Sequence, residues 1–314
     1  MAGGAQPREG CSAQTHTMIE LRPGDTGYPA LLGAIPAAPM LFVRGELDAD
    51  DALAIAIVGS RRASPYGIAA TERLASDLAA RGVTIVSGLA RGIDTAAHRS
   101  ALAAGGRTLA VLGSGVDVVY PPENATLARA IESRGAILSQ FPPGMPALPG
   151  HFPARNRTLA GLTLGVVVVE AAERSGALIT AGFAGDLGRE TFAVPGRITS
   201  PTSVGTNRLI QDGAKLVTCW QDIVSELPEQ WRRAVRGLSA SPDAQRAPEN
   251  GSDEGRMLEL LAPDEPQHIE QLIARTGFTP ARAAALLVTL ELGGWARQLA
   301  GQRWVSLETR ARRA

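Results

Sequence analysis

The sequence predicts an α/β fold, an extended Rossmann-like doubly wound and mainly parallel sheet, followed by a small C-terminal winged-helix module. Between residues 53 and 218, short apolar runs bounded by glycine alternate with segments of helical periodicity. This alternation is typical of parallel strands that helices cover on both faces. A change of composition near residue 228 then separates a shorter segment with its own helical periods. The chain is therefore expected to hold one large and one small domain.

The elements of the large domain follow from its apolar runs and the turn residues between them. Strands are predicted near residues 53–58, 83–87, 108–112, 136–139, 166–170, 191–194 and 215–218. Helices are predicted near residues 66–81, 94–104, 124–134, 155–162, 176–188 and 205–213. The crossovers between the parallel strands should be right-handed.

The large domain, which includes a Pro-rich lead-in, is predicted to span residues 21–227. The remaining segments differ from it in composition. Residues 1–20 lack an apolar core, which predicts a disordered segment that is not a signal peptide. Residues 228–251 become rich in Ser, Pro, Asn and Gly and are interpreted as a linker. Residues 252–308 form the predicted winged-helix-like domain, and 309–314 a basic tail.

The winged-helix interpretation depends on three helical periods and a ribbon. The helices are expected near residues 253–262, 267–276 and 280–293, and the ribbon strands around 295–297 and 303–305. The third helix holds one arginine and few hydrogen-bonding side chains, whereas base readout in a major groove needs Arg, Asn or Gln. Sequence-specific binding of duplex DNA, as in a transcription regulator, is therefore disfavoured.

The composition limits the partners and the compartment. The 31 basic and 31 acidic residues balance, so a nucleic-acid site must be a local patch. Lys215 is the sole lysine, so nearly every cation is a bidentate guanidinium. Cys11 and Cys219 form no metal-binding pattern, and such low cysteine usage indicates a reducing cytosol. No run approaches the roughly 20 apolar residues that cross a bilayer, so the protein is predicted to be cytoplasmic and without a membrane partner.

The most informative stretch is 55–62, where an apolar strand runs into a turn containing Gly59, Ser60, Arg61 and Arg62. A helix that begins there would present unpaired N–H groups and the positive end of its dipole to an anion. Ser60 is expected to cap that helix or to donate to an oxygen. A dinucleotide fingerprint would show three glycines and no arginine pair. The turn therefore favours a phosphate backbone over a dinucleotide.

Further glycine-rich loops follow other predicted strands, at 87–94, 113–117 and 170–180. Ligands of open parallel sheets bind beyond the carboxyl ends of the strands, and turns of small residues form anion-binding nests. The loops together predict one phosphate-lined groove, although glycine also simply permits tight turns. The segment 152–157 adds Arg155 and Arg157 near a predicted helix start, where a cation needs an anion to hold. The alternative is that one of them pairs with a buried carboxylate such as Glu170.

Ordered blocks along residues 56–214 resemble the DNA-processing protein A family, also called DprA or Smf. The matching blocks are 57–61, 87–94 with His98, 110–115 with Asp117, 120–121 with Asn124, 152–157, 168–170, 175–180, 193–196 and 205–210 with 213–214. The lead-in from Tyr28 and the winged module resemble the family more weakly. The resemblance implies DNA contact at the turn that holds Arg61 and at the block that holds Arg155 and Arg157.

The family resemblance also implies a function. It suggests a recombination mediator that binds and protects incoming single-stranded DNA and loads a RecA-type recombinase during natural transformation or recombination. It further implies a homodimer through the Rossmann domain and no enzymatic activity. Many relatives carry an N-terminal helical domain for which residues 1–20 leave no room, and relatives often use lysine where this chain has arginine.

The candidate DNA- or phosphate-binding residues share a position after predicted strands or at a predicted helix start. They are Gly59, Ser60, Arg61, Arg62, Ser87, Gly88, Arg91, Gly92, Gly113, Gly115, Arg155, Asn156, Arg157, Ser175 and Gly176. No catalytic residue, metal ligand or cofactor is predicted. Aromatic residues make up 4% of the chain, so binding should be dominated by the backbone, tolerant of sequence and dependent on salt. Phe141 and Phe152 border the basic block, and core packing is the preferred interpretation of each.

The enzyme alternatives are less well supported. A nucleotide-processing Rossmann enzyme of the phosphoribohydrolase type would carry Pro-Gly-Gly-x-Gly-Thr followed by Glu, which segment 170–180 lacks. Asp94 and His98 are one helical turn apart and could form an acid–base pair, but a capping Asp beside a packed His is the more common arrangement. The four histidines are scattered and show no zinc spacing.

Overall fold

The computed structural model describes residues 18–236, 248, 251–262, 265–292, 295–299 and 301–306. Its contacts divide the chain into two compact units, 1–239 and 240–314. Most of the predicted N-terminal disordered segment, much of the predicted linker and the basic tail lie outside the described residues.

The first unit is built on a nine-stranded sheet. Its strands are, in chain order, β1 Ile19–Leu21, β2 Leu41–Gly45, β3 Ala54–Val58, β4 Thr84–Ser87, β5 Thr108–Leu112, β6 Ala136–Ser139, β7 Gly165–Val168, β8 Glu190–Ala193 and β9 Lys215–Leu216. They are arranged across the sheet as β1-β2-β6-β5-β4-β3-β7-β8-β9. The seven strands from β3 to β9 run parallel, and they are the seven that the sequence predicts.

The helices of this unit begin and end close to the predicted positions, with three short additions, α1, α8 and α9. They are α1 Ala30–Gly33, α2 Pro65–Ala80, α3 Ile93–Ala103, α4 Ala125–Glu132, α5 His151–Gly161, α6 Gly176–Asp186, α7 Val204–Gln211, α8 Trp220–Val224 and α9 Glu229–Ala234. The doubly wound, mainly parallel α/β architecture is confirmed.

Alternating side chains of the strands supply two cores, one on each face of the sheet. In β3, Ile55 and Ile57 pack toward α2, α3 and α8. Ala54, Ala56 and Val58 of the same strand pack toward α1, α5 and α6. Because both faces are covered, the central strands are buried along their whole length and consist mainly of apolar residues, as their hydrophobic runs indicate.

Two strands were missing from the sequence-based prediction. β1 and β2 lie in the Pro-rich lead-in and pair antiparallel with each other. β2 joins the sheet by pairing antiparallel with β6. Leu41, Phe42 and Val43 are all buried, so β2 lacks the alternation of apolar and polar residues that is typical of an antiparallel strand with one solvated face. β1 begins at Ile19, inside the segment 1–20 that was expected to be disordered, because pairing with β2 satisfies its backbone.

The predicted linker begins too early. Residues 228–236 belong to the first unit, since α9 lies there and Val235 is fully buried in the core beside α2 and α8. The backbone N–H of Arg236 donates to the carbonyl oxygen of Arg81 at 2.9 Å. Burial of Val235 and this bond order a segment whose composition resembles a linker.

The second unit has the expected three helices and a ribbon around one small core. Its elements are α10 Asp253–Glu259, β10 Gln267–His268, α11 Ile269–Thr276, α12 Pro280–Leu292, β11 Ala296–Leu299 and β12 Arg303–Ser306. β10 is a short third strand that pairs with β12, and α11 therefore begins two residues later than predicted. Met257, Leu272, Leu286, Leu287 and Trp304 form the centre of this core.

Candidate nucleic-acid interface

The order of the strands reverses at β3. From β3 the chain proceeds through β4 and β5 to β6, and then returns to place β7 on the other side of β3. The loop after β3 leads to α2 on one face, whereas the loop after β7 leads to α6 on the other. The two loops part and leave a crevice at the carboxyl ends, which is where doubly wound folds bind ligands.

A cavity of about 400 Å³ occupies this crevice, a size typical of ligand pockets. The turn after β3 and the N-terminal parts of α5 and α6 line this cavity together with apolar side chains. The lining includes Gly59, Ser60, Arg61, Asp94, Pro149, Phe152, Arg155, Asn156, Leu159, Ser175, Gly176 and Ile179.

The turn after β3 presents the exposed side chain of Arg61 to this cavity. Gly59 is required because a Cβ there would lie 3.0 Å from the carbonyl oxygen of Glu170 and would also overlap Ile93. Ser60 accepts from the N–H of Arg62 at 3.1 Å. The expectation that Ser60 caps a helix is wrong, because α2 begins at Pro65, and a local turn separates it from the strand.

Ser64 caps α2 instead, and a buried carboxylate holds it. Its hydroxyl accepts from the N–H of Gly67 at 3.1 Å. Glu170, which is 2% exposed, accepts from the Ser64 N–H at 2.8 Å and from the Ser64 hydroxyl at 2.5 Å. It also accepts from the Thr202 hydroxyl at 3.1 Å. Glu170 thus ties the end of β7 to the start of α2 and fixes the far end of the turn that carries Arg61.

Arg155 lies beneath the cavity and is only 5% exposed. Its Nη1 donates to the carbonyl oxygens of Gly88 at 2.5 Å and Val111 at 2.6 Å, and its Nε donates to Asn156 at 3.1 Å. Burial lowers the pKa of the Arg155 guanidinium, the Asp94 carboxylate opposes this, and the positive charge of Arg61 adds to it. The Glu170 carboxylate instead accepts from Ser64 and Thr202, so the suggested pairing of an arginine with Glu170 is wrong, and Asp94 is the carboxylate whose charge acts on Arg155.

Asn156 and Ser175 shape the part of the cavity that α5 and α6 form. The amide of Asn156 donates to the carbonyl oxygen of Gly176 at 3.2 Å, which joins α5 to α6. Ser175 caps α6 by accepting from the N–H of Ala177 at 3.3 Å. A Cβ on Gly176 would meet no atom within 4 Å, so the backbone at the start of α6 is open to the cavity. The positive end of a three-turn helix therefore lines the same cavity as Arg61.

Phe152 joins this cavity to a smaller one beside it. The smaller cavity is lined by Gly88, Arg91, Gly113, Tyr120 and Phe152, together with Arg61. The guanidinium carbon of Arg61 lies 5.0 Å from the centre of the Phe152 ring. The ring belongs to none of the hydrophobic clusters described for the first unit, so the expectation that it packs in the core is wrong. Phe141 stacks on His151 at 4.1 Å and lines neither cavity.

The first unit has the sequence of a known family. A family profile described as DNA recombination-mediator protein A matches residues 20–228. The chain belongs to this family. A profile described as the DprA winged helix domain matches residues 241–302, in the second unit. Membership supports a role in DNA processing and recombination.

Relatives of this DprA family confirm the assignment. Protein Smf of Escherichia coli (strain K12) is 41% identical over 293 residues, which cover 90% of this chain and 76% of that protein. DNA processing protein DprA of Streptococcus pneumoniae (strain ATCC BAA-255 / R6) is 48% identical over 203 residues, 64% of this chain and 72% of that protein.

Two solved structures of the DprA family share the fold. The X-ray structure of DNA processing protein A from Streptococcus pneumoniae has a TM-score of 0.63 at 46% identity, covering 68% of this chain and 75% of that one. The structure of DNA processing protein A from Helicobacter pylori has a TM-score of 0.59 at 30% identity, covering 67% and 95%. The latter is described as giving insight into a single-stranded DNA binding mode.

The residues predicted for the site of this DprA family member fall into those that line a cavity and those that do not. Gly59, Ser60, Arg61, Arg155, Asn156, Ser175 and Gly176 line the larger cavity, and Gly88, Arg91 and Gly113 line the smaller one. The others lie elsewhere. Arg157 donates to the carbonyl oxygen of Pro36 at 2.5 Å. Arg62 is exposed but lines neither cavity.

Three of the predicted residues support the loops from within. The buried Ser87 hydroxyl donates to the carbonyl oxygen of Ile57 at 2.6 Å and so links β4 to β3. Gly92 has a φ of 74°, and a Cβ there would overlap the carbonyl oxygen of Ser60. Gly115 lies against the backbone of Pro142 and Gly144. Their small size serves loop packing, so they act on the cavity only through the backbone.

Asp94 and His98 do not form an acid–base pair. Asp94 accepts from the N–H groups of Gly88 at 3.1 Å and Ala90 at 3.3 Å, which fixes the loop before α3. His98 is fully buried, and its Nδ1 lies 2.7 Å from the hydroxyl of Thr108. Burial lowers the pKa of His98 to about 3, so the ring is neutral. Asp94 also does not cap α3, since Gly92 occupies that position.

Among the residues that the structure describes, no helix is long and apolar enough to cross a membrane. No group of three or more His, Cys, Asp or Glu side chains in the same residues is placed to hold a metal ion.

Proposed function

We propose that this protein binds single-stranded DNA in the cavity between β3 and β7. The observation that carries the proposal is that the exposed Arg61 side chain and the open N-terminus of α6 line one cavity of about 400 Å³. Both features attract phosphate. The Helicobacter pylori relative, described by its single-stranded DNA binding mode, supports the choice of ligand.

The cavity favours an unpaired strand over a duplex. Phe152 and Ile179 offer apolar surface beside the phosphate-attracting groups, and only an unpaired nucleotide can turn its base into such a space. One aromatic ring at the cavity suits one base, and stacking on a ring tolerates every base. Binding should therefore be sequence-tolerant and weaken as salt rises, because phosphate contacts release counterions.

Arg61 is the principal phosphate ligand in this proposal. Arg155 directs Nη1 to two backbone carbonyls and Nε to Asn156, and it lies next to Asp94. Its charge is therefore largely engaged within the protein. Arg157 is engaged with Pro36 and Arg62 lies off the cavity, which leaves Arg61 as the exposed cation of the lining.

The cellular role that we propose is recombination mediation in the cytoplasm. The protein would protect incoming single-stranded DNA and load a RecA-type recombinase onto it during natural transformation or recombination. It would act as a homodimer and without catalysis. Membership of a family described as recombination mediators supports this role. Sedimentation of the purified protein tests the dimer, and recombinase filament assembly on a single strand, with and without the protein, tests loading.

The winged-helix unit is proposed to contribute no sequence-specific readout. Arg282, the arginine of α12, donates to Asp253 at 2.9 Å and is thereby occupied. The rest of the exposed surface of α12 consists mainly of small and apolar residues, including Ala284, Ala285 and Val288. Such a surface lacks the donors that distinguish bases in a major groove.

The binding site is tested with a labelled oligonucleotide as a single strand and as a duplex, at two salt concentrations. We expect the parent to prefer the single strand, and Arg61→Ala to lose most of the affinity without a change in melting temperature. Arg73→Ala is the matched control, since Arg73 is exposed on α2 and lines neither cavity. Equal affinity of the Arg61→Ala variant and the parent would exclude the assigned site.

The same preparation distinguishes an enzyme from a binding protein. If the parent shows no preference for the single strand, release of base from nucleoside monophosphates is measured next. Base release would favour the nucleotide-processing alternative over the recombination mediator.

A further inference from the structure

An arginine that lines the smaller cavity forms a surface ion pair with a residue outside the lining, Glu123. Arg91, which lines that cavity, donates from Nε to Oε1 of Glu123 at 2.5 Å. The side chains are 56% and 50% exposed, so both lie in solvent. The bond holds the pKa of Glu123 below its usual range and raises that of Arg91. The Glu123 carboxylate thus binds the Arg91 guanidinium, which would otherwise be available to a ligand in the cavity.

The loop that carries Glu123 is firmly attached. The neighbouring Asn124 is 3% exposed, and its amide donates to the carbonyl oxygen of Leu89 at 2.9 Å and to the hydroxyl of Thr95 at 2.9 Å. These bonds fix the short 3₁₀ helix Pro122–Asn124 against the loop that follows β4. Glu123 is therefore held beside Arg91 by the fold.

The position of Arg91 suits a second phosphate. Arg61 and Phe152 line both cavities and Arg91 lines the smaller one, so a strand that is anchored at Arg61 and continues through the smaller cavity would meet Arg91. The backbone of Gly88 and Gly113 lines the space without a bulky side chain. Carboxylate and phosphate offer a guanidinium the same kind of acceptor oxygen.

We propose that Glu123 acts as an internal substitute for phosphate, occupying Arg91 in the free protein and limiting its affinity for single-stranded DNA. A phosphate of the bound strand displaces the carboxylate and takes its place on Arg91. Exposed ion pairs are weak, so a phosphate can displace the carboxylate. Breaking the ion pair nevertheless reduces the binding free energy that the phosphate contact contributes. The inference rests on the proposed function, because it assumes that a strand runs along these cavities.

The test is a double-mutant cycle on single-strand affinity, with the full chain at low salt. We expect Glu123→Gln to bind about threefold to fivefold more tightly than the parent. Arg91→Ala should bind more weakly, and its log affinity should fall less steeply with log salt, by about 0.7, as expected for one lost phosphate contact on a single strand. In the Arg91→Ala background, Glu123→Gln should change affinity by less than about 1.5-fold, since the carboxylate then has no guanidinium to occupy.

A control variant separates this effect from overall charge. Glu229 pairs with Arg232 and Arg233 on α9, and Glu229→Gln removes the same charge without lining either cavity. It should leave affinity unchanged. No gain with Glu123→Gln, or an equal gain with and without Arg91, would overturn the proposal. If either result is found while the parent binds the strand and Arg61→Ala abolishes binding, only the inference about Glu123 fails and the proposed function stands. If the parent does not bind the strand, the proposed function and the inference both fail.

Discussion

The guanidinium of Arg155 lies directly beneath Gly88, with Nη1 donating to the Gly88 carbonyl oxygen at 2.5 Å. The same nitrogen donates to Val111 at 2.6 Å, so one side chain joins the carboxyl ends of β4 and β5. A Cβ on Gly88 would occupy the space of the guanidinium. Arg155 thus has a structural function within the family block in which sequence reasoning placed a phosphate ligand.

Gly88→Ala is therefore expected to destabilise the protein by about 1–3 kcal/mol, the usual range for an overpacked core. The Cβ must displace the buried Arg155 guanidinium, which donates to two carbonyl oxygens there. Gly176→Ala is the control, because a Cβ there meets open space. Urea unfolding of both variants measures the difference, and equal midpoints would contradict the packing argument.

Phe152→Ala should weaken single-strand binding by about tenfold, within the range of 1–3 kcal/mol for the loss of one stacked base. The ring lines both cavities and lies 5.0 Å from Arg61 and 5.8 Å from Arg155. Phe141→Ala removes a nearby ring that lines neither cavity. Fluorescence anisotropy with one labelled oligonucleotide compares them. Similar losses in both variants would show that Phe152 has no special contact with a base.

Glu170→Gln should lower both stability and affinity. The carboxylate accepts three hydrogen bonds, from the N–H and hydroxyl of Ser64 and from Thr202, and an amide nitrogen cannot accept any. A lost hydrogen bond to a charged group is worth about 1.5–3 kcal/mol. Because Ser64 ends the turn that carries Arg61, affinity should fall even at temperatures where the variant is fully folded. An unchanged affinity would mean that the turn is held by other contacts.

His98 should make stability sensitive to mild acid. Its pKa in the folded protein is about 3, below the usual value of 6.5, so the unfolded chain takes up a proton that the folded state excludes. The stability is complete above pH 6.5 and is lost as the pH falls toward 3. The loss approaches about 1.4 kcal/mol per pH unit well below pH 6.5.

The interval between pH 6.5 and 5 is diagnostic, because ordinary carboxylates are still ionised there. Denaturant unfolding across this interval should show the loss in the parent but not in His98→Gln, which is less stable but has no titrating group at that position. His268→Gln serves as the control, since that side chain is partly exposed and contacts Glu270 on the surface of the second unit. An identical slope for the parent and His98→Gln would exclude His98 as the cause.

The sequence predicts the central parallel strands well because they are buried on both faces of the sheet. The runs that contain Ile55, Val86 and Val111 are short, mainly apolar and bounded by turn residues, as expected of such strands. It predicts β1 and β2 poorly because β2 joins the sheet through β6, about 100 residues away, and β1 is ordered only by pairing with β2. The segment 228–236 was misassigned for the same reason, since its order comes from packing against α2 and α8.

The candidate site divides in a similar way. By itself, the sequence determined the α/β class, the family, and the turn after β3 with its exposed Arg61, because local apolar runs and glycine turns encode them. Only the tertiary structure decided that Arg155 binds backbone carbonyls, that Arg157 turns to Pro36, and that Glu123 occupies Arg91. The charge of an arginine is visible in the sequence. The oxygen that it meets is set by strands and loops that are distant along the chain and adjacent only after folding.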